Sequence, residues 1–381
     1  MNQLPLTVRR AIEITGLFFL GWIIVLGRGL LAPLLMAFFI SIMLLPIYRF
    51  FRNRKFPDTV AIGISLLALI IILGGIVWFF SSQMSILIRD FPTIQKNVMN
   101  HLTALSEWIG SKTPFSTQEQ TTFIREQSNN LLNYAGNLLG TLAGSVTGTL
   151  VFLGLLPIYI FLLLFYKNLL LRFVFLWFPR ERHEKVEETL GEIQAIIKSY
   201  LFGLLIQVTY MTVLLGGILM IIGIKHALLI GVIFAFLNLI PYVGALLGNI
   251  IGVLLTLASS EELWPVVAVL GTIAAVQFLD NNILMPRIVG SKVRINALAT
   301  IVGVVLGGEI AGITGMFLSL PVIAMLKVIF DRTEQFKQWG VLFGDERPEH
   351  SPMAVPAFRW RGDRIRKFLE RKNKIKPPHA D

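Results

Sequence analysis

Long apolar runs alternate with short polar breaks along the chain. The runs at 11–27, 29–48, 59–80, 143–166, 199–223 and 264–278 lie near the roughly 20 apolar residues an α-helix needs to cross a bilayer. They predict an all-α fold: a polytopic integral membrane protein with about five to six full transmembrane helices. The first run follows Arg9 and Arg10, as the h-region of a signal peptide would. No small-x-small cleavage site comes after it and a second run begins at once, which favours a span.

Two further apolar stretches are broken in the middle. Arms 227–240 and 245–258 meet at PYVG, and arms 295–306 and 313–330 meet at GGEIAG. Arms of this size make about 18–27 Å of helix at ~1.5 Å per residue, short for a hydrocarbon core of ~30 Å. Each pair is therefore a re-entrant hairpin or two tilted spans. Either way the chain returns to the side it came from.

The polar stretches set the organisation. Three N-terminal spans fill 1–80. An amphipathic helical insert fills 81–142, where Met84, Ile88, Phe91, Ile94 and Val98 recur at helical spacing. The C-terminal membrane core of spans and hairpins, 143–330, contains the charged segment 167–198. A basic tail, 331–381, closes the chain; between Phe358 and Lys376 it carries nine bases and two acids.

Composition and charge sharpen this picture. Hydrophobic residues make up 55% and charged residues 15%, against about a quarter charged in soluble domains. That excludes an ordinary soluble domain and a disordered chain. The absence of cysteine excludes a disulfide scaffold and a zinc–cysteine protein. The net charge of +11 would suggest nucleic acid, but the bases sit between apolar runs, where the positive-inside rule accounts for them. With the N-terminus inside, 28 of the 34 bases fall on the cytoplasmic side. The expectation is a multi-pass protein of a bacterial inner membrane with both termini cytoplasmic, and with anionic headgroups as partners of the tail.

Candidate chemistry is sparse. Catalytic residues, a metal centre and a cofactor are not expected: HExxH, GxSxG and Walker-type motifs are absent and the five histidines are scattered. The candidates for binding a cation, a proton or a polar solute are Asp280, Asn281 and Asn282 at the end of a span, with Gln277 one turn earlier. To these the broken segments add Asn238, Pro241, Tyr242 and Gly244 at the first joint and Glu309 at the second. Ionisable groups at membrane depth are functional candidates. Broken backbone there survives only beside protein or a water-filled cavity. Gly136, Gly140, Gly144 and Gly148 form a GxxxG ridge suited to close helix packing or an oligomer contact. Similar ridges occur at Gly244, Gly248 and Gly252, and at Gly303 and Gly307.

The stretches KSYLFGLLIQ, GVIFAFLNLIPYVGALLGNI and VQFLDNNILMPRIVGSKVRINALATIVGVVLGGEIAGITGMFLSLPVIAMLKVIFD resemble the autoinducer-2 exporter (AI-2E) family, also called PerM-type permeases. The resemblance covers about 10–332. It implies a permease or secondary transporter that exports a small polar solute such as autoinducer-2 or exchanges monovalent cations for protons. It also implies a homo-oligomer. The family motifs fall on Pro241, Tyr242 and Gly244; on Asp280, Asn281 and Pro286; and on Gly307, Gly308, Gly312, Gly315 and Pro321 as hinge and packing positions. Ala297 stands where many members have proline, and Glu309 where an apolar residue is expected. The competing expectation is a membrane scaffold that recruits partners through the insert and the tail.

Overall fold

The computed structural model describes residues 5–112, 146–288, 295–334 and 336–345. Among them there is no strand. The protein is an all-α polytopic membrane protein. Five helices are long and apolar enough to cross a bilayer, or six when one bent pair is taken as a single span.

Helix α1 (Leu6–Leu26) and α2 (Arg28–Asn53) are joined at Gly27. The turn after α2 is tied by Asp58, at the N-terminus of α3. Its carboxylate accepts from Tyr48 Oη at 2.6 Å and pairs with Arg52 at 2.8 Å. A carboxylate in the first turn of a helix also complements the helix dipole.

The third span does not stop at 80. Helix α3 runs unbroken over Asp58–Lys112, so the start of the insert continues the third span in one helix, ~80 Å long at 1.5 Å per residue and longer than a hydrocarbon core of ~30 Å. The rest of the insert, 113–145, lies outside the described residues. Helix α4 (Val146–Phe165) returns and bends by 63° into the short α5 (Lys167–Leu176). Helix α6 (His183–Met211) joins the latter part of the charged segment to the next span. That span passes through a π-helical turn, Thr212–Gly216, into α7 (Gly217–Ile222).

The first broken stretch is a hairpin of α8 (Ala227–Leu237) and α9 (Val243–Ser259). Its arms are short: ~16 and ~25 Å at 1.5 Å per residue. They lie against each other where glycine allows it. A Cβ on Gly244 would fall 1.8 Å from the Leu237 carbonyl oxygen, and one on Gly248 would fall 2.6 Å from the Phe234 ring. Helix α10 (Trp264–Leu279) follows, then a second π-helical turn, Asp280–Leu284, and α11 (Met285–Ile288), which carries Pro286.

The second broken stretch, α12 (Ala297–Arg332), is long enough for a span but folds back on itself. Ala311 and Gly312 are non-helical, and Gly312 has φ +60°, which glycine adopts without strain. A Cβ on Gly307 would meet the Gly315 carbonyl oxygen at 2.4 Å, and one on Gly303 would meet Ile323 at 2.1 Å. Residues 20 apart in one straight helix would be ~30 Å apart, so these are two arms of a hairpin. Its first arm continues to 310, beyond the expected 306. Pro321 is buried in the second arm.

Asn296 closes the open end of this hairpin. Its side chain accepts from the Ala299 amide at 2.8 Å and donates to the carbonyls of Leu342 and Gly344. It thereby caps α12 and holds α13 (Lys337–Phe343).

Three buried apolar clusters hold the helices. One joins α2, α3 and α4 around Ile62 and Ile160. A second joins α2, α6 and α12 around Phe39 and Ile197. The third packs α6 and its π-turn against α8 and α10 around Met211, Phe234 and Ile273. The chain beyond 345, including the basic tail, lies outside the described residues, as do Gly136, Gly140 and Gly144. Gly148 lies in α4.

Candidate functional site: a buried carboxylate among amides

The third cluster has a polar edge. Asp280 is 2% exposed and sits where α10 widens into its π-turn, about 24 Å along the helix from Trp264. Its Oδ2 accepts from Gln207 Nε2 at 3.2 Å and Asn238 Nδ2 at 3.3 Å. Its Oδ1 accepts from Tyr210 Oη. Gln277, one turn before Asp280, donates to Asn238 Oδ1 at 3.3 Å.

Local structure explains how these groups meet. Gln207 and Tyr210 are three residues apart on α6 and so share a helix face. Asn238 can reach inward because α8 ends there, ahead of Pro241, which cannot extend a helix. Tyr242 follows with φ +64° and starts α9. The Gly244 amide bonds back to the Ile240 carbonyl at 2.8 Å, which fixes the tip that presents Asn238. Both helices carrying the polar group widen into a π-turn within two residues of it, at Thr212–Gly216 and Asp280–Leu284. Such turns often mark functional sites.

The charge balance is uneven. Among the described residues no base pairs with Asp280. The amide oxygens of Gln207 and Gln277 are buried and unpartnered. A carboxylate and two free carbonyl oxygens therefore lie in one buried network. Oxygen donors of this type suit a hard cation, or a proton on the carboxyl group.

Of the sequence candidates, Asp280, Gln277 and Asn238 come together, and the Pro241–Gly244 tip shapes Asn238's position. Asn281 and Asn282 are exposed, and Asn282 bonds to the Phe278 carbonyl of its own helix. Tyr242 is 60% exposed. Glu309 is exposed and makes no hydrogen bond or ion pair to the Asp280 group. Sequence reasoning did not pick out Gln207 and Tyr210. Their signal was two polar side chains one turn apart in a span, a costly placement unless they are partnered.

Residues 13–335 match the sequence model of the AI-2E family transporter. The chain belongs to that family. It is 24% identical over 322 residues to YrrI of Bacillus subtilis, covering 81% of this chain and 87% of that protein. It is 23% identical over 341 residues to the AI-2 transport protein TqsA of Escherichia coli, covering 87% and 95%. YueF of Bacillus subtilis is 34% identical over 113 residues, covering 29% of this chain and 30% of that protein. The AI-2E member described here is thus a multi-pass membrane permease, with the Asp280 group among its packed core helices.

Proposed function

We propose that this permease moves a small polar solute, or exchanges a monovalent cation for protons, and that Asp280 holds the coupling cation or proton. One observation carries the reading: a buried carboxylate at the end of an apolar helix, with three hydrogen-bond donors and, among the described residues, no basic partner. Coupling requires a group that can hold a proton and a cation in turn, which a carboxylate can do. Gln207, Asn238 and Tyr210 orient the carboxylate, and the free amide oxygens of Gln207 and Gln277 complete a cation's shell. The printed name of TqsA makes autoinducer-2 the first solute to test. A bacterial inner membrane with both termini cytoplasmic, a homo-oligomer and anionic headgroups beside the tail complete the proposal.

The test is flux in proteoliposomes. Purified wild type is assayed with autoinducer-2, sodium, lithium and potassium under imposed pH gradients, beside Asp280→Asn. The variant keeps the size of the side chain and removes its ionisable group. It should fold and assemble normally and lose ion-dependent flux by at least tenfold. Wild-type flux and pH dependence in Asp280→Asn would remove Asp280 from the mechanism.

A further inference from the structure

Helix α5 has no buried residue. It starts two residues after the end of the apolar α4, and the chain bends by 63° between them, so α5 turns away from the line of the span and stays at that end of it. Its apolar side chains are large and bare: Leu169 is 59% exposed, Phe173 56%, Leu176 75% and Trp177 75%. At 100° per residue these four fall within one sector of about 100°, with Arg172 and then Asn168 along one flank of it.

Two contacts pin the helix at its ends. Lys167 Nζ lies 3.7 Å from the Tyr48 ring centroid, and the Phe175 ring meets His183 edge-on at 5.1 Å. From 167 to 180 the charges are Lys167, Arg172 and Arg180, with no acid. Arg172 and Arg180 are exposed and form no ion pair among the described residues.

We propose that α5 is an interfacial helix that buries its Leu169–Phe173–Leu176–Trp177 side in the headgroup–acyl boundary and binds anionic lipid headgroups through Arg172 and Arg180. Two arguments fix the occupant. The helix continues directly from a span, so its apolar side meets the bilayer surface without any rearrangement. Its charges are of one sign, which suits an anionic leaflet and disfavours the chain's own tail with its nine bases. Interfacial helices combine Trp, Phe and Leu sunk into the acyl boundary with bases that reach the headgroups, and Arg172 at the flank of the apolar sector is placed to do so.

The absence of cysteine makes the test direct. Full-length protein carrying single spin-labelled cysteines at Asn168, Leu169, Phe173 or Leu176 is placed in nanodiscs. Accessibility to oxygen and to a water-soluble nickel chelate is then measured. Labels at 169, 173 and 176 should favour oxygen, and the label at 168 the chelate. Chelate access at all four positions overturns the proposal. So does shielding from both reagents with spin–spin broadening, which would make α5 a contact between copies.

A second arm needs no label. Brominated lipids should quench wild type more than Trp177→Phe; equal quenching overturns the burial. Native mass spectrometry tests the headgroup part by comparing wild type with Arg172→Glu/Arg180→Glu in mixed anionic and zwitterionic lipid. Each base near the surface is worth about fivefold, so retention of anionic lipid should fall roughly tenfold or more. Unchanged retention overturns that part.

Discussion

Asp280 is held by three donors, and each bond is separately testable. A hydrogen bond to a charged group contributes about 1.5–3 kcal/mol, and a buried group stripped of its partner loses a comparable amount. Tyr210→Phe removes one donor and leaves the ring in place. It should lower unfolding stability in detergent by about 1–3 kcal/mol. Combined with Asp280→Asn, the loss should be smaller than the sum of the two single changes, because groups in one network do not add. Strict additivity of the thermal shifts would mean that Tyr210 and Asp280 do not interact. Gly244 acts on the same carboxylate from a distance. A methyl group there would lie 1.8 Å from the Leu237 carbonyl oxygen, so Gly244→Ala must move the hairpin tip and with it Asn238. Its expected effect is a loss of stability of about 1–3 kcal/mol, together with a loss of ion-dependent flux. Wild-type melting and flux would show that the tip's position does not matter to the site.

At the scale of elements, the arm of α3 beyond the span docks through a mostly polar seam. Asp90 pairs with Lys225 at 2.9 Å, with His226 Nε2 at 3.4 Å. Asn97 donates to the Ala258 carbonyl at 3.1 Å, and His101 meets the Ser260 carbonyl at 2.8 Å. Burial pushes the His226 imidazole below its ordinary value, although Asp90 pulls the other way. A group depressed by docking binds its proton more weakly in the docked state. The seam should therefore be intact above the ordinary imidazole range and loosen as pH falls below about 6.5. Spin labels at Lys96→Cys and Glu262→Cys should give a narrow distance distribution at pH 7.5 and a broader one at pH 5.5. In His226→Gln the distribution should not respond to pH; a broadening that persists there would assign the effect elsewhere. The apolar runs made the helices and both broken stretches legible in the sequence, because span length and proline or glycine breaks are local properties. The continuity of α3 through 81–112 was not legible, since a polar surface on a helix is equally compatible with a break. Asp280, Gln277 and Asn238 could be read as polar groups in apolar surroundings. Their meeting with Gln207 and Tyr210 could not, because it depends on how α6, α8 and α10 pack.

At the scale of the molecule, polar contacts sort into two ends. Arg52–Asp58, Lys167 over Tyr48, Arg332 with Glu188 and Glu192, and Asn296 with Leu342 gather at one end. Asp90–Lys225, Asn97–Ala258 and His101–Ser260 gather at the other, a full span of α3 away. The hairpin of α8 and α9 opens at the second end, through His226 and Ser260. The α12 hairpin opens at the first, through Asn296 and Arg332. The two broken elements therefore enter from opposite sides, the arrangement by which inverted repeats build a mid-membrane site in secondary transporters. The positive-inside rule leads us to propose the end rich in Arg49, Arg52, Arg54 and Arg172 as the cytoplasmic one. That assignment makes a prediction about the intact cell. Single cysteines at Ser111, on the arm of α3, and at Ser351, in the tail, should differ in their reaction with an impermeant thiol reagent. Position 111 should label in intact cells, and position 351 only after permeabilisation. Labelling of 351 alone in intact cells would invert the whole assembly, placing the basic end outside and exchanging the sides from which the two hairpins enter.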